Sequence, residues 1–380
     1  MSLSASSAAS SADLAVVGGG IVGLWCAYRA ADRGARVALF EAGALGGGAS
    51  GGLLGALMPH QPVGWNAKKQ LQLDGLLALP GLVRALEAET GLACGYRRCG
   101  RIMPIAHADK RRTSEGWARG AYDLWPDNAT WRLLETPDHP DWPRADAGSH
   151  GFNRDTLSAR LAPRGLIAAL VAACRARGVD LRPHTPVRAL AADGSLRTAD
   201  GTRHTPARLI VTAGWRGFEL LKPLWPTSGG TGVKGQAALL APPRPLDPAR
   251  PIVYDSGVYA IVHDDGRVAV GSTSETEFSA PDTTDARLDD VIERARALCP
   301  ELAQARVVER WAGVRPRAGR TAPVFGPLPD APAIVVATGG LKITFAIAHL
   351  MARAAVDHAL DGETSPALAA FAPVGATQRA

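Results

Sequence analysis

The sequence predicts a mixed α/β chain in which strand–turn–helix units at the two ends frame strand-rich inserts. Three observations predict it. Leu14–Val17 is a short apolar run that leads through a glycine turn into a helical pattern. Residues 333–363 repeat that order near the C-terminus. Between them, stretches such as 257–275 alternate apolar and polar residues, as half-buried hairpin strands do.

The first unit, "LAVVGGGIVGLWCAYRAADRGARVALFEAG", fills residues 14–43. Gly18, Gly20 and Gly23 fall at G-x-G-x-x-G spacing between the strand and the helix. The second apolar strand, 36–40, ends at Glu41, 18 residues after Gly23. This is the order of a Rossmann-like dinucleotide turn. Gly18 permits the bend, Gly20 lets backbone approach a pyrophosphate, and Gly23 lets helix pack on strand. Ile21 and Val22 open the helix, whose N-terminal amides suit phosphate. Glu41, followed by Ala42, is placed to accept from ribose hydroxyls, and its charge disfavours the 2′-phosphate of NADP. The motif alone does not choose between FAD and NAD.

The remaining elements follow in order. A second glycine-rich stretch occupies 43–62. Residues 67–91 read as a long helix broken near Pro80, and 113–142, with four tryptophans among prolines and acids, read as irregular or strand-rich. Residues 161–181 carry a strongly amphipathic helix, 208–212 an apolar strand, 257–275 a hairpin about Asp265-Gly266, and 284–300 another helix.

Composition bounds the class. The chain has 380 residues, 46% hydrophobic and 21% charged, which is globular usage. No apolar run reaches the ~18 residues of a membrane span. The N-terminal "MSLSASSAASSAD" lacks the basic start and apolar centre of a secretory signal, so residues 1–12 are expected to be disordered and the protein cytoplasmic. Five cysteines, at 26, 94, 99, 174 and 299, have irregular spacings that support neither a disulfide framework nor a zinc site, and no metal is expected. Net charge is +6, and 36 of the 42 basic residues are arginine. The nearest basic run, "DKRRTSEGWAR", is interrupted by acids, so nucleic acid is not expected as a partner.

The order of motifs resembles the D-amino-acid oxidase superfamily of FAD enzymes, whose branches include glycine oxidase, sarcosine oxidase and D-amino-acid dehydrogenases. The resemblance runs from about residue 13 to 365 and rests on the glycine turn with Glu41, "GGGASGG", "VKGQ" at 233–236, "GRVAVGST" at 266–273, "GVRPRAGRTAPVFGPLP" at 313–329 and "TGGLKITFAIA" at 338–348. It implies an FAD-binding domain from 13–60, 143–220 and 319–370. A mostly antiparallel substrate domain would come from 61–142 and 221–318. It also implicates Ala49, Ser50 and Gly51 in the loop passing the pyrophosphate, the Val187 backbone in reading adenine, and Ala213 and Gly214 beside the cofactor. Gly339, Gly340, Leu341, Lys342 and Thr344 match the turn under the flavin pyrimidine.

The family chemistry implied is hydride transfer from the Cα of a small amino acid or amine, such as glycine, sarcosine or a D-amino acid, to flavin N5. Arg315 in "GVRP" resembles the carboxylate-gripping arginine of glycine oxidase, and Lys342 in "GGLK" the corresponding lysine of sarcosine oxidase. Arginine suits the task because its planar fork binds carboxylate bidentately. Lys342 lies in an apolar stretch at a helix start, where the macrodipole disfavours a cation, so a ligand role is expected. Tyr259 falls in the pocket-lining hairpin strand, and His60 follows the second glycine loop. "VVERWAGVRPRAGRTAP" lacks the cysteine that tethers flavin in sarcosine oxidases, so FAD is expected to be non-covalent. The 257–275 hairpin lacks their oxygen-activating lysine, which leaves a quinone or dye open as acceptor beside oxygen. "GASGG" at 48–52 matches G-x-S-x-G formally, but no strand precedes it, so Ser50 is not read as a nucleophile. A second resemblance, of the "GASG…GALMP" loop and "GPLP", is to the FAD domain of an enzyme acting on carboxymethylaminomethyl-modified tRNA uridine. A flavin-binding protein without turnover is a third reading.

Overall fold

The computed structural model describes residues 12–363 and 366–375. The expectation for residues 1–12 therefore lies, apart from Ala12, outside the described residues.

Two sheets organise the chain. The first has six strands in the order 324–328, 331–338, 208–211, 14–17, 37–40 and 180–182. All its pairs are parallel except the outermost, Val324–Leu328 on Ala331–Thr338. Buried on both faces, Leu14–Val17 and Val37–Phe40 are continuously apolar, as a parallel sheet requires. Helices Ile21–Asp32, Ala67–Thr90, Pro163–Ala176 and Thr344–Asp361 pack their apolar stripes into one core on one face. The opposite face packs against Leu221, Trp225 and the three-stranded sheet built from 187–204.

The second sheet has eight strands in the order 306–317, 231–241, 268–271, 258–262, 252–255, 101–104, 152–155 and 131–134. It is antiparallel save for the one parallel pair of Ile252–Asp255 with Arg101–Pro104. Helix Ala286–Leu298 buries Leu288, Val291, Ile292 and Ala295 against its far face.

Several expectations need correction. The helix at 67–90 runs through Pro80 unbroken, because Leu76, Leu79, Val83 and Leu86 on both sides of the proline are anchored in one core. Residues 108–124 are a helix, not irregular chain. Its tryptophans serve packing: Trp117 and Trp125 leave it to pack on Trp131 of the edge strand, at 5.3 and 5.8 Å between ring centroids. Strand Phe152–Asp155 joins the eight-stranded sheet although it follows residue 143, and helix Ala67–Thr90 packs on the six-stranded layer although it precedes 142. All five cysteines are free and buried. Among the described residues, no group of three or more His, Cys, Asp or Glu is arranged to hold a metal, and no helix is long and apolar enough to cross a membrane.

Candidate active site

A cleft of about 1320 Å³ opens between the two sheets. That exceeds the roughly 300–1,000 Å³ of an ordinary small-molecule pocket, so an extended dinucleotide and a substrate can share it. One wall is formed by the C-terminal ends of the parallel strands, Val17, Phe40, Thr212 and Thr338, where open α/β sheets bind ligands. The other is the near face of the eight-stranded sheet.

The dinucleotide turn is built as its sequence requires. Gly18 has φ +110°, and a Cβ there would sit 2.7 Å from the Ala213 backbone. A Cβ at Gly23 would sit 2.6 Å from Thr212 Oγ1, which itself donates to Gly18 O at 2.9 Å. Gly23 therefore serves helix–strand packing and does not line the cleft. The Glu41 carboxylate accepts from Gly19 N at 2.7 Å and Gly43 N at 2.9 Å. These bonds fix its orientation and leave lone pairs for ribose hydroxyls. Ser50 Oγ accepts from Ile21 N at 3.0 Å, taking one first-turn amide of the helix and leaving others for an anion. Gly51 shapes the loop through its N–H, which donates to Gly48 O, and its carbonyl, which accepts from Arg164; it too does not line the cleft. The remaining expected cofactor residues, Gly20, Ile21, Val22, Ala42, Ala49, Ser50, Val187, Ala213, Gly214, Gly339, Gly340, Leu341, Lys342 and Thr344, all line it.

Arg315, Lys342, Tyr259 and His60 line the same cleft. Arg315 lies near the end of the long strand Arg306–Arg317. Its Nη2 donates to Thr273 O at 2.9 Å and Lys234 O at 3.2 Å, its Nη1 reaches Ser272 Oγ at 3.5 Å, and its Nε is buried without a partner. The expected free fork is thus partly committed to carbonyls that hold it in place, and Nη1 is the edge with capacity left. Burial lowers the Arg315 pKa, with Tyr259 and Glu275 opposing. Lys342 sits in the turn Leu341–Ile343 with no hydrogen-bond or ion-pair partner among the described residues, and burial followed by repulsion from Arg315 lowers its pKa. Tyr259 is 8% exposed and its phenol is pushed up to about 12 by burial, so it is protonated at neutral pH. His60 is hydrogen-bonded through Nδ1 and its backbone N–H to Gln72, and burial lowers its pKa, keeping the ring neutral.

Sequence reading missed three residues here. Gly235, inside "VKGQ", lies beneath Arg315: a Cβ there would sit 2.7 Å from the guanidinium carbon. Tyr254 packs on Tyr259 with ring centroids 4.8 Å apart. Folding "IVYDSGVYAIV" as a hairpin about Ser256-Gly257 would have paired the two tyrosines. Arg101 lines the cleft while only 3% exposed, with Nε donating to Asp155 at 2.8 Å and Trp131 beneath its guanidinium at 5.2 Å. Its signal was a charge inside the apolar strand "GRIMPI".

Residues 13–354 match the family model for FAD dependent oxidoreductases of the DAO type. The chain belongs to this family. Its cofactor is FAD, and the glycine cradle, the helix start and Glu41 provide the donors and acceptors an adenine dinucleotide needs. Among relatives, the chain is 28% identical to a glycine oxidase of Geobacillus kaustophilus over 381 residues, 94% of this chain and 96% of that one. It is 29% identical to a glycine oxidase of Pseudomonas aeruginosa over 373 residues, 95% and 98% of the two chains. Solved structures sharing the fold include glycine oxidase from Geobacillus kaustophilus, with TM-score 0.87 and 23% identity over 96% of this chain and 98% of that one. Iminodiacetate oxidase from Chelativorans shares it with TM-score 0.85 and 23% identity over 95% and 99%. The match to these glycine and iminodiacetate oxidases spans nearly their whole length, and the tRNA reading is not favoured.

Proposed function

We propose that the protein oxidises the C–N bond of a small amino acid, with Arg315 holding the substrate carboxylate. One observation carries the reading: Arg315 is a half-buried cation on the cleft floor whose hydrogen-bond partners are all neutral oxygens. A guanidinium so placed is incomplete without an anion. The glycine-oxidase relatives support a substrate of this class.

FAD, when bound, accepts the electron pair that leaves the Cα–H bond. The protein's part is position and charge. The carbonyls of Thr273 and Lys234 fix the guanidinium plane before substrate arrives, so little ordering remains to be done on binding. Nη1 then meets one carboxylate oxygen, and Lys342 and the protonated Tyr259 are the donors available for the other. The same cations raise the local potential. A substrate ammonium is disfavoured there and the neutral amine, which is the form that can be oxidised, is favoured. Holding Cα in one place is worth roughly 7–11 kcal/mol at the extreme.

An anaerobic screen of small amines and amino acids, following flavin absorbance, tests the reading. Bleaching by glycine, sarcosine or a D-amino acid supports it. Flavin that no amino acid bleaches overturns it.

A further inference from the structure

The near face of the eight-stranded sheet carries two cationic ends with a tyrosine pair between them. Side chains two residues apart on a strand share a face, and the register extends this across strands. Ala237 is opposite Gly271, Gly271 opposite Tyr259, Tyr259 opposite Tyr254, and Ile252, two before Tyr254, opposite Arg101. Arg315 enters from the first strand and lays its guanidinium over Gly235. In strand order the floor therefore runs Arg315, Gly235, Gly271, Tyr259, Tyr254, Arg101. The two glycines keep it open beside Arg315. Both arginines act electrostatically on Tyr259, Arg315 acts also on Lys342, and Arg101 also on His60. One cationic end is thus Arg315 with Lys342, and the other is Arg101.

The charges at this part of the cleft do not balance. Asp155 is fully buried, pairs with Arg101 Nε, and is otherwise satisfied by Ser158. Glu275, Asp285, Lys234 and Arg287 form an ion-pair network behind the sheet that balances within itself. The other acids that line the cleft lie elsewhere. Glu41 is held at the dinucleotide turn, Glu219 is on the short helix packed against strand Val187–Leu190, and Asp282 is on an exposed loop. Arg315, Lys342 and Arg101 face only Asp155 as a paired acid, with Lys342 exposed, Arg315 half-buried and Arg101 buried. Arg101 keeps Nη1 without a partner among the described residues, although its side chain is only 4% exposed.

Resting on the proposed amino-acid oxidation, we infer that the substrate carries two acidic groups: its α-carboxylate at Arg315 and Lys342, and a second acid, on the side chain or on the amine nitrogen, at Arg101. A dianion matches the surplus charge, and the tyrosine pair covers the apolar part between its ends. Arg101 is then the residue that sets specificity. Its fixed Nε–Asp155 bond turns the guanidinium so that Nη1 serves the ligand.

The test compares each acid with its side-chain amide, which has nearly the same shape without the charge: D-aspartate with D-asparagine, D-glutamate with D-glutamine, and iminodiacetate with its mono-amide. Anaerobic flavin bleaching gives the second-order rate constant of flavin reduction for each. The expected result is a preference for the acid of about tenfold or more in at least one pair. Arg101→Met combined with Asp155→Asn, which removes both charges of the buried pair together, should bring that ratio close to one, while Arg101→Lys should keep part of it. A second readout needs no turnover: glutarate should raise the melting temperature of the wild-type holoenzyme more than butyrate does, and the double variant should lose the difference. Equal handling of acid and amide in every pair, or a preference that survives in the double variant, overturns the inference. In either case bleaching by the amides leaves the amino-acid reading standing. Absence of bleaching by any amino acid removes both.

Discussion

The Arg315 guanidinium rests on Gly235, at the place where any larger residue would put its Cβ 2.7 Å from the guanidinium carbon. Gly235 pairs with Gly313 inside a regular antiparallel ladder, and its φ is not positive, so alanine is permitted by the backbone. Only the arginine end must move. Gly235→Ala should therefore change stability by less than about 1 kcal/mol while raising KM for a carboxylate substrate by roughly tenfold or more. Thermal melting and steady-state kinetics on the same preparation check both halves. An unchanged KM would mean that the position of Arg315 does not matter.

Glu41 already accepts two backbone N–H bonds, and we propose that its remaining lone pairs accept from the ribose of FAD. Glu41→Gln loses the charge and one acceptor, and FAD affinity should fall roughly 10- to 150-fold. Fluorescence titration of apoprotein with FAD measures this. With no cysteine in 307–323, acid-denatured wild type passed through a membrane filter should release all its yellow colour. Flavin retained with the polypeptide would show a covalent bond.

His349 supplies a pH dependence. It is buried against Trp25, both its ring nitrogens lack partners, and burial, with Arg353 adding repulsion, lowers its pKa from 6.5 to about 4. The native state thus refuses a proton that the unfolded chain accepts. Stability from this group is complete above pH ~6.5 and declines as pH falls from there toward 4, by about 3 kcal/mol in all. His349→Leu should flatten that part of the curve. Urea unfolding of the two proteins between pH 7 and 4 checks it, and parallel curves would contradict it.

The hairpin 257–275 carries no lysine, and in the sarcosine-oxidase branch a lysine there assists oxygen. Dye or quinone reduction under saturating substrate should outpace peroxide formation. Equal rates would show that oxygen needs no such lysine here.

Much of this was legible in sequence because it is local. Gly18, Gly20, Gly23 and Glu41 form a short motif in which spacing alone dictates geometry. The hairpin about Gly266 and the terminal strand–turn–helix announce themselves by period. Arg315 and Lys342 were found by resemblance, and no local pattern names either. What stayed hidden depends on distant pairing. Pro80 reads as a break until the core on both sides of it is seen, and the tryptophans of 117–131 read as irregular chain until they pack edge-on and tilted against one another. Arg101 becomes a site residue only because Ile252, about 150 positions away, fixes its register. The role of Gly235 depends on a neighbouring strand 80 residues on, so "VKGQ" carries no local sign of its purpose.

The central claim is that Arg315 reads the α-carboxylate. Stopped-flow flavin reduction with a substrate acid and its matching α-amide, glycine with glycinamide or sarcosine with its amide, tests it most directly in wild type and Arg315→Met. Wild type should reduce roughly 10- to 150-fold faster with the acid at sub-saturating concentration, and Arg315→Met should lose most of that advantage. Acid and amide reducing the wild-type flavin equally well would contradict it.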